Sequence, residues 1–220
     1  FEPYDSDIDP LFEKYTDIED GKLLYGKILP GEEVVVSEKL HGRNCRVGIV
    51  NGVRHAGSRT ARRTKPADGN LEADMFWRPW TIPAVEKLVE DLAKTSKAVI
   101  LSGEVYGRGV QSLDYGATKT RGFRAFDLYV DGRYLDYYAF AELCDRYGVD
   151  RVPVLWRGPF DLATVKALAE GKTTVGGDHL REGVVARSAV ERRDPAIGRV
   201  VLKFISDEFC LSKHKEKESV

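Results

Sequence analysis

Residues 37–46 read SEKLHGRNCR, so Lys39 stands at the end of a β-branched run and is followed closely by His41, Gly42 and Asn44. A lysine at a strand end ordinarily lays its stem along apolar surface and keeps its ammonium in water. A lysine that acts as a nucleophile must instead be uncharged when it attacks. Because the ordinary lysine pKa is about 10.4, burial or nearby cations must lower it for that role.

The sequence around Lys39 supplies both of the conditions that lower a lysine pKa. Three valines at 34–36 provide an apolar wall, and residues 41–65 contain seven arginines or lysines and no acid. A local cluster of positive charge attracts phosphates, although such a run also suits a solvated loop. Gly42 would let a backbone approach a ligand closely. The segment therefore meets the conditions for a nucleophilic lysine near phosphates, and a lysine whose ammonium lies in solvent stays the alternative.

The composition of the chain is that of an ordinary globular protein. It has 220 residues, a net charge of −1 and 42% hydrophobic residues, and no apolar stretch approaches the roughly 18 residues of a membrane helix. Cys45, Cys144 and Cys210 are widely spaced, which predicts neither a disulfide framework nor a zinc site and favours a reducing, cytoplasmic compartment. The chain begins at Phe1 without a leader pattern, which indicates a trimmed chain.

The first half of the sequence predicts strands and one helix. EEVVVSEK at 32–39 is typical of a buried strand, and NCRVGIV and VRHAG around Asn51 and Gly52 predict a hairpin on a type I′ turn. The basic segment 57–70 predicts a loop. Apolar residues at helical spacing predict a helix over 82–96, with Thr81 as its N-cap.

The second half continues the alternation of strands with short helices. Strands are predicted at 98–106 and 122–130, and the last two strands lie in GVVARS and GRVVLKFIS. Helices are predicted at about 137–147 and 161–170, ending at Gly148 and Gly171. Strands outnumber the crossover helices of a parallel sheet. The pattern therefore predicts an α+β fold with mixed, mostly antiparallel sheets flanked by helices.

Six short segments occur along the chain in a fixed order: EKLHGRN at 38–44, GSRT at 57–60, SGEVYG at 102–107, FRAFDLY at 123–129, REGVVAR at 181–187 and VLKFIS at 201–206. Together they resemble the motifs of the covalent nucleotidyltransferase superfamily, which comprises RNA ligases, DNA ligases and mRNA capping enzymes. His41 favours the RNA ligase family, because DNA ligases and capping enzymes usually carry Asp there. The resemblance implies a nucleotidyltransferase (ATP-grasp-like ligase adenylation) domain.

The resemblance also implies a reaction. Lys39 attacks the α-phosphate of ATP, forms a lysyl-AMP phosphoramidate and releases pyrophosphate; the AMP then passes to a 5′-phosphate end, and a 3′-hydroxyl displaces it. Each step is an in-line displacement at phosphorus, which requires positioning and neutralisation of charge on the phosphoryl oxygens. The implied cofactors are ATP and Mg²⁺ or Mn²⁺, and the implied partner is RNA with these ends, in a nicked duplex or an RNA/DNA hybrid.

Four charged residues match the family's phosphate and metal positions. Lys203 is implied to bind phosphate and to help lower the pKa of Lys39, and Arg59 is suited to a bidentate phosphate or ribose contact. Glu182, which enters an apolar strand, is implied to meet a metal or its hydration shell. Glu104 is implied to bind the ribose or to support the metal. For each, a surface position or a plain ion pair is the alternative.

The remaining candidates surround the nucleotide base and the RNA end. Phe126 matches the ring that stacks on adenine, with Asp127 beside it and a core phenylalanine as the alternative. Glu38 and Leu40 flank the nucleophile and are implied to line the purine pocket. His41 is implied to act in passing AMP to the RNA end. For Asn44, contact with the 5′-phosphate end and fixing of the loop both stay open.

The chain departs from the family pattern in its last motif and in its length. Many relatives carry a lysine where this chain has Ile205, and the lysines farther on are Lys213, Lys215 and Lys217. We predict an N-terminal segment or linker over 1–29, a nucleotidyltransferase domain over 30–207 and a C-terminal tail over 208–220, in which SKHKEKESV at 212–220 is expected to be frayed and disordered. The acidic opening resembles that of RNA ligases with an N-terminal OB module, the Naegleria and Deinococcus types, so a module preceding Phe1 is expected.

Two other functions are consistent with the motifs. A DNA ligase or a GTP-using capping-type enzyme would share the chemistry, although His41 argues against both. A noncatalytic nucleic-acid-binding module is motivated by Ile205 and by the absent second domain. We expect a monomer that does not associate with membranes.

Overall fold

A computed structural model describes residues 11–218 of the chain. The strands are β1 (Glu19–Asp20), β2 (Glu33–Glu38), β3 (Arg43–Val50), β4 (Val53–Gly57), β5 (Ala98–Gly107), β6 (Arg121–Val130), β7 (Arg133–Tyr134), β8 (Val154–Pro159), β9 (Gly183–Ser188), β10 (Arg193–Asp194), β11 (Gly198–Arg199) and β12 (Val201–Ile205). The α-helices are α1 (Gly21–Leu24), α2 (Pro83–Ala93), α3 (Tyr137–Tyr147), α4 (Leu162–Ala169) and α5 (Asp207–Glu218). Two 3₁₀ helices span Tyr25–Lys27 and Arg78–Thr81.

The strands form two five-stranded sheets and one short ladder. The first sheet has the order β1-β12-β9-β2-β8, the second has the order β4-β3-β5-β6-β7, and β10 pairs with β11. Each pairing is antiparallel except that of β1 with β12, which is parallel. The predicted α+β fold with mostly antiparallel sheets is therefore confirmed.

The hairpin of β3 and β4 turns at the predicted dipeptide. Asn51 and Gly52 have φ angles of 49° and 80°. Two successive positive φ values are those of a type I′ turn, whose twist matches that of the flanking strands. The hairpin places β3, and with it Asn44, beside β5 in the second sheet.

The helix boundaries agree with the sequence at α3 and differ at α2. Gly148 adopts the left-handed conformation directly after α3, as predicted. The N-cap of α2 is Ile82 rather than Thr81, because Thr81 ends a 3₁₀ helix and its hydroxyl donates to Glu72 and to a carbonyl group. Pro83 then supplies the first helical residue with a backbone angle already suited to it.

Each sheet packs one face against helices. In the largest apolar cluster, Trp77, Trp80 and residues of α2 and α3 pack on the second sheet. In another cluster, Val165 and Ala169 of α4 pack on the first sheet against Val34, Val36 and other residues. Residues of β2, β3, β5, β6, β9 and β12 border a cleft between the sheets, where most of the candidate residues lie.

The segment before β2 is part of the fold over its described residues. Phe12 and Tyr15 are buried, and β1 joins the first sheet beside β12. Residues 1–10 of the predicted segment 1–29 lie outside the described residues.

The C-terminal region is helical over Asp207–Glu218, which includes residues 212–218 of the segment that the sequence predicted to be frayed. The Glu170 carboxylate accepts hydrogen bonds from the backbone N–H groups of Asp207, at 2.8 Å, and Glu208, at 3.3 Å, at the start of α5. This acid satisfies N–H groups that would otherwise lack a partner, and it also complements the helix dipole. The side chains of Lys213, Lys215 and Lys217 lie outside the described residues.

Across residues 11–218, no helix combines the length and apolar character that a membrane crossing needs. The cysteines are all free: Cys45 and Cys144 are buried, and Cys210 is exposed.

Candidate active site

Lys39 follows β2 directly and is anchored through its backbone. Its N–H donates to the carbonyl of Gly183 at 2.9 Å, and the N–H of Glu38 donates to the carbonyl of Pro153 at 2.8 Å. The Lys39 side chain is 23% exposed, and its Nζ lies 2.8 Å from Oε1 of Glu182. The sequence predicted cations beside this amine, whereas the ion-pair partner of Nζ is an acid.

Glu182 bridges Lys39 and His41. Its Oε2 lies 3.2 Å from Nδ1 of His41, while Oε1 contacts Lys39. Burial acts to raise the pKa of Glu182, but the His41 contact and the charge of Lys39 outweigh it, so the pKa is lowered. This carboxylate therefore stays ionised between two potential cations and sets the positions of both.

Glu104 is the second acid of the cleft and lies on β5. Its Oε1 accepts a hydrogen bond of 3.1 Å from the backbone N–H of Gly42. Burial raises the pKa of Glu104 to about 8, with the charge of Lys39 opposing the rise and that of Glu182 adding to it. A Cβ at position 42 would lie 2.2 Å from the carbonyl oxygen of Val105, so only glycine allows this close approach.

A cavity of about 390 Å³ opens beside Lys39. It is lined by Tyr15, Asp17, Ile18, Ser37, Glu38, Lys39, Leu40, Asn44, Arg59, Glu104, Phe126, Val152, Val185, Arg187, Val201 and Lys203. The lining comes from both sheets and from the segment before β2. Most of the residues predicted from the motifs are thereby brought together around one space.

One wall of the cavity is aromatic. The rings of Phe126 and Tyr15 lie 5.0 Å apart at 60°, and Tyr15 comes from the segment before β2. Glu38 is almost fully buried, and its carboxylate accepts hydrogen bonds from Thr173 and Thr174, including one of 2.8 Å from the Thr174 N–H. The loop that contains these threonines thus fixes the residue before Lys39.

The cations of the cavity differ in their partners. Arg59 pairs with Asp17, while Lys203 lies on β12 opposite Val185 of β9. Both face the space beside Lys39. Asn44 lies opposite Glu104 in the sheet, and its Oδ1 is buried without a hydrogen-bond partner among the described residues. An orphaned acceptor in the wall of a cavity is an observation that a bound donor would explain.

Asp127 does not line the cavity. Its carboxylate accepts a hydrogen bond of 3.0 Å from Tyr15 and pairs with Arg187 at 3.0 Å and Arg199 at 2.7 Å. Glu191 pairs with both of these arginines as well. We call these five residues the buried charge network; two of them, Tyr15 and Arg187, also line the cavity.

His41 is held from two sides although it lies outside the cavity lining. Its backbone N–H donates to the hydroxyl of Tyr115 at 2.5 Å, and its ring lies 5.8 Å from that of Phe209 in α5. Of the residues that sequence reasoning missed, Tyr15 lies in the acidic opening and Arg187 ends the motif REGVVAR. No sequence signal singles out Tyr115.

The donor set fits a hydrated divalent ion rather than a protein-enclosed one. No cluster of three or more His, Cys, Asp or Glu side chains suited to a metal occurs within residues 11–218. Mg²⁺ typically keeps several waters and takes one or two carboxylates together with substrate phosphates. Glu104 and Glu182, both near Lys39, meet that requirement.

A family model described as RNA ligase matches residues 32–205. This chain belongs to the RNA ligase family. The match covers β2 to β12 and so includes each element that contributes a motif residue, while Tyr15, Asp17 and Ile18 of the cavity lie before it. No curated protein matches the chain.

Solved structures of a Naegleria gruberi RNA ligase share the fold of this RNA ligase family member. A ligand-free variant has a TM-score of 0.78 at 21% identity and covers 97% of this chain but 61% of its own. A variant with ATP and Mn has a TM-score of 0.78 at 21% identity, and the match covers 98% of this chain and 62% of that one. A variant with AMP and Mn has the same TM-score, identity and coverages. The chain thus spans about three fifths of the length of the ligase that it resembles.

Proposed function

We propose that this chain is the catalytic domain of an ATP-dependent RNA ligase that works through lysyl-AMP. The observation that carries the proposal is the placement of the Lys39 amine, 2.8 Å from Glu182, at a cavity of about 390 Å³ that is also lined by an aromatic wall and by three further cations. Family membership and the ATP and AMP complexes of the Naegleria gruberi ligase support the choice of chemistry.

Each part of the cavity has a role in the first step. The Phe126 ring offers a face for the adenine, and Leu40 borders the same space. Lys203 and Arg59 contact the phosphates, and ATP displaces Asp17 from Arg59. Glu182 orients the amine of Lys39 for in-line attack on the α-phosphorus. The N–P bond forms as the bond to pyrophosphate breaks, and the amine proton leaves to the adjacent carboxylate or to water.

A divalent ion bound near Glu104 and Glu182, Mg²⁺ or Mn²⁺, would neutralise charge on the phosphoryl oxygens. The carboxylate of Glu104 accepts a hydrogen bond from the backbone N–H of Gly42, which holds it at a fixed place beside the nucleophile. The unpartnered Oδ1 of Asn44 is available to a hydroxyl or water at the nucleotide.

The second and third steps require the RNA ends. His41 is positioned by Glu182 and Tyr115 next to the nucleophile, which suits a role in passing AMP to a 5′-phosphate. The 3′-hydroxyl then displaces AMP and joins the two ends. The proposed partner is RNA at a nick in a duplex or hybrid, acted on by a monomer in the cytoplasm.

The first test is covalent labelling. We expect the protein with Mn²⁺ to gain the mass of AMP from ATP, and not from GTP or NAD, as measured by intact-mass spectrometry. Lys39→Ala should gain nothing, while Lys65→Ala, which changes an exposed lysine of the basic loop, should label like wild type. Labelling from GTP alone would indicate a capping-type enzyme, and no labelling of wild type would favour the noncatalytic module.

The second test concerns the substrate class. Nicked duplexes are prepared with RNA or DNA on each side of the nick and sealed by the labelled protein. A requirement for ribose at the 3′-hydroxyl side supports an RNA ligase, whereas indifference to the sugar contradicts it.

A further inference from the structure

A second pocket, of about 370 Å³, lies where β5 ends and β6 begins, outside the cleft. It is lined by Glu72, Ala73, Arg78, Arg108, Gly109, Lys119, Thr120 and Arg121. We call it the basic pocket, because it contains four cations and one acid. None of its residues belongs to the motifs that define the catalytic cleft.

The charge of the basic pocket is only partly neutralised. Glu72 pairs with Arg78 at 2.9 Å, and Arg121 donates to the carbonyl of Ala73 at 2.8 Å. The side chains of Arg108 and Lys119 are exposed, and neither has an ion-pair or hydrogen-bond partner among residues 11–218. The pocket therefore presents excess positive charge to solvent, which favours a polyanionic ligand.

The loop over 108–120 holds these cations in place. The N–H of Arg108 donates to the carbonyls of Ala117, at 3.1 Å, and Thr120, at 3.0 Å, so the loop closes on itself. The same loop carries Tyr115, whose hydroxyl accepts the N–H of His41. One loop thus contacts the catalytic cleft and also forms a wall of the basic pocket.

The basic pocket lies close enough to the cleft to bind the same strand of nucleic acid. Gly107, at the end of β5, pairs with Arg121, and Glu104 is three residues back along β5. Three residues of a strand span about 10 Å, which corresponds to about three nucleotides of duplex rise. Alternation along β6 puts Arg121 on the face of the sheet away from the cleft. The nucleic-acid strand must therefore pass around loop 108–120 to contact both sites.

We propose that the basic pocket binds the phosphodiester backbone of RNA a few nucleotides from the joint. The inference rests on the proposed ligase function and adds where the substrate is held. Arginine and lysine contacts to phosphates fix the position of a nucleic acid without reading its sequence. The pocket therefore contributes to affinity for the RNA and not to AMP uptake.

The test compares two double variants that remove the same charges. Arg108→Ala with Lys119→Ala empties the basic pocket of its unpartnered cations. Lys97→Ala with Arg133→Ala removes one exposed lysine and one exposed arginine at the other end of the same sheet, about 30 Å away along β5. Fluorescence anisotropy then measures binding of a 5′-phosphorylated nicked RNA duplex between about 50 and 200 mM salt.

We expect the pocket variant to bind the duplex about 10-fold more weakly. Its salt slope should fall by about 2, because each of the two missing cations would have neutralised one phosphate. Both variants should gain AMP at the wild-type rate. Equal weakening in the two variants, an unchanged slope in the pocket variant, or no binding by wild type would each overturn the proposal. Failure of AMP uptake alone would count against the ligase function, because anisotropy does not depend on it.

Discussion

The cleft beside Lys39 and the buried charge network contain the same kinds of residue in two different states. In the network, Asp127 and Arg199 are each about 1% exposed, and each is paired with more than one partner. In the cleft, Lys39 is 23% exposed and shares one carboxylate with His41. Asp127 and Arg199 face other protein groups, whereas Lys39 borders the cavity.

The difference distinguishes charged groups that pair with other protein groups from charged groups that border the cavity. In the network each of the four charged residues has two oppositely charged partners, and removal of one partner leaves a buried charge less compensated. In the cleft, the pKa of Glu104 is raised to about 8 and the Oδ1 of Asn44 has no partner among the described residues. Groups with a shifted pKa or an unpartnered polar atom next to a cavity are candidates for binding and catalysis.

The largest effect is expected in the network. Asp127→Ala should lower the free energy of unfolding by about 3 to 5 kcal/mol, because two buried arginines lose their shared acid. Asp17→Ala, which breaks the more exposed pair with Arg59, should cost less than about 1 kcal/mol. Urea titrations measure both, and equal changes in the two variants would remove the distinction between the regions.

The second effect is expected in the cleft. Glu182→Gln should slow AMP uptake about 100-fold, equivalent to about 2.7 kcal/mol, since it removes the charge that orients Lys39. Its midpoint in urea should stay near that of wild type. Glu191→Gln in the network should do the reverse, with a lower midpoint and near-normal labelling. If both variants changed the same quantity, either the rate of AMP uptake or the midpoint in urea, the distinction between the cleft and the network would be wrong.

A pH dependence sharpens the same contrast. The pKa of Glu104 is raised to about 8 in the folded chain, above its ordinary value of 4.5. Between these values the folded state holds a proton that the unfolded state has released, so stability falls as the pH rises. Relative to Glu104→Gln, wild type should lose on the order of 3 kcal/mol from pH 5 to pH 8. Parallel stability curves for the two proteins would show that Glu104 does not titrate in this range.

The smallest effect is expected where the two regions meet. Tyr15→Phe removes the hydroxyl that donates to Asp127 but keeps the ring beside Phe126. We expect a decrease of about 1 kcal/mol in unfolding free energy and a KM for ATP within about 2-fold of wild type. Tyr15→Ala should raise that KM further, because the aromatic wall loses its support. Similar KM values for the two variants would place Tyr15 outside nucleotide binding.

The sequence predicted the parts of the fold and site that depend on local pattern. Asn51 and Gly52 specify their turn, and the motif order was enough to predict that Lys39, Glu104 and Glu182 lie near one another. Phe126 and Asp127 were both assigned to the nucleotide, yet successive residues of a strand point to opposite faces. Only Phe126 reaches the cavity, and Asp127 turns to the network.

The parts that the sequence did not predict depend on distant partners. β1 is two residues long and is defined by pairing with β12, far along the chain. β8 contains Gly158 and ends at Pro159, both poor strand residues, but it forms the edge of the first sheet. The start of α5 is satisfied by the distant Glu170 in addition to the local cap Ser206. Local sequence propensity does not predict such contacts, because they join residues that are far apart in the sequence.

The central claim is that the amine of Lys39 becomes bonded to AMP. The most direct measurement is peptide mapping by mass spectrometry after incubation of the protein with ATP and Mn²⁺, with the linkage preserved at alkaline pH. We predict AMP on Lys39 alone, with Lys203 unmodified. AMP on any other residue, or an unmodified Lys39 in a protein that seals RNA, would contradict the claim.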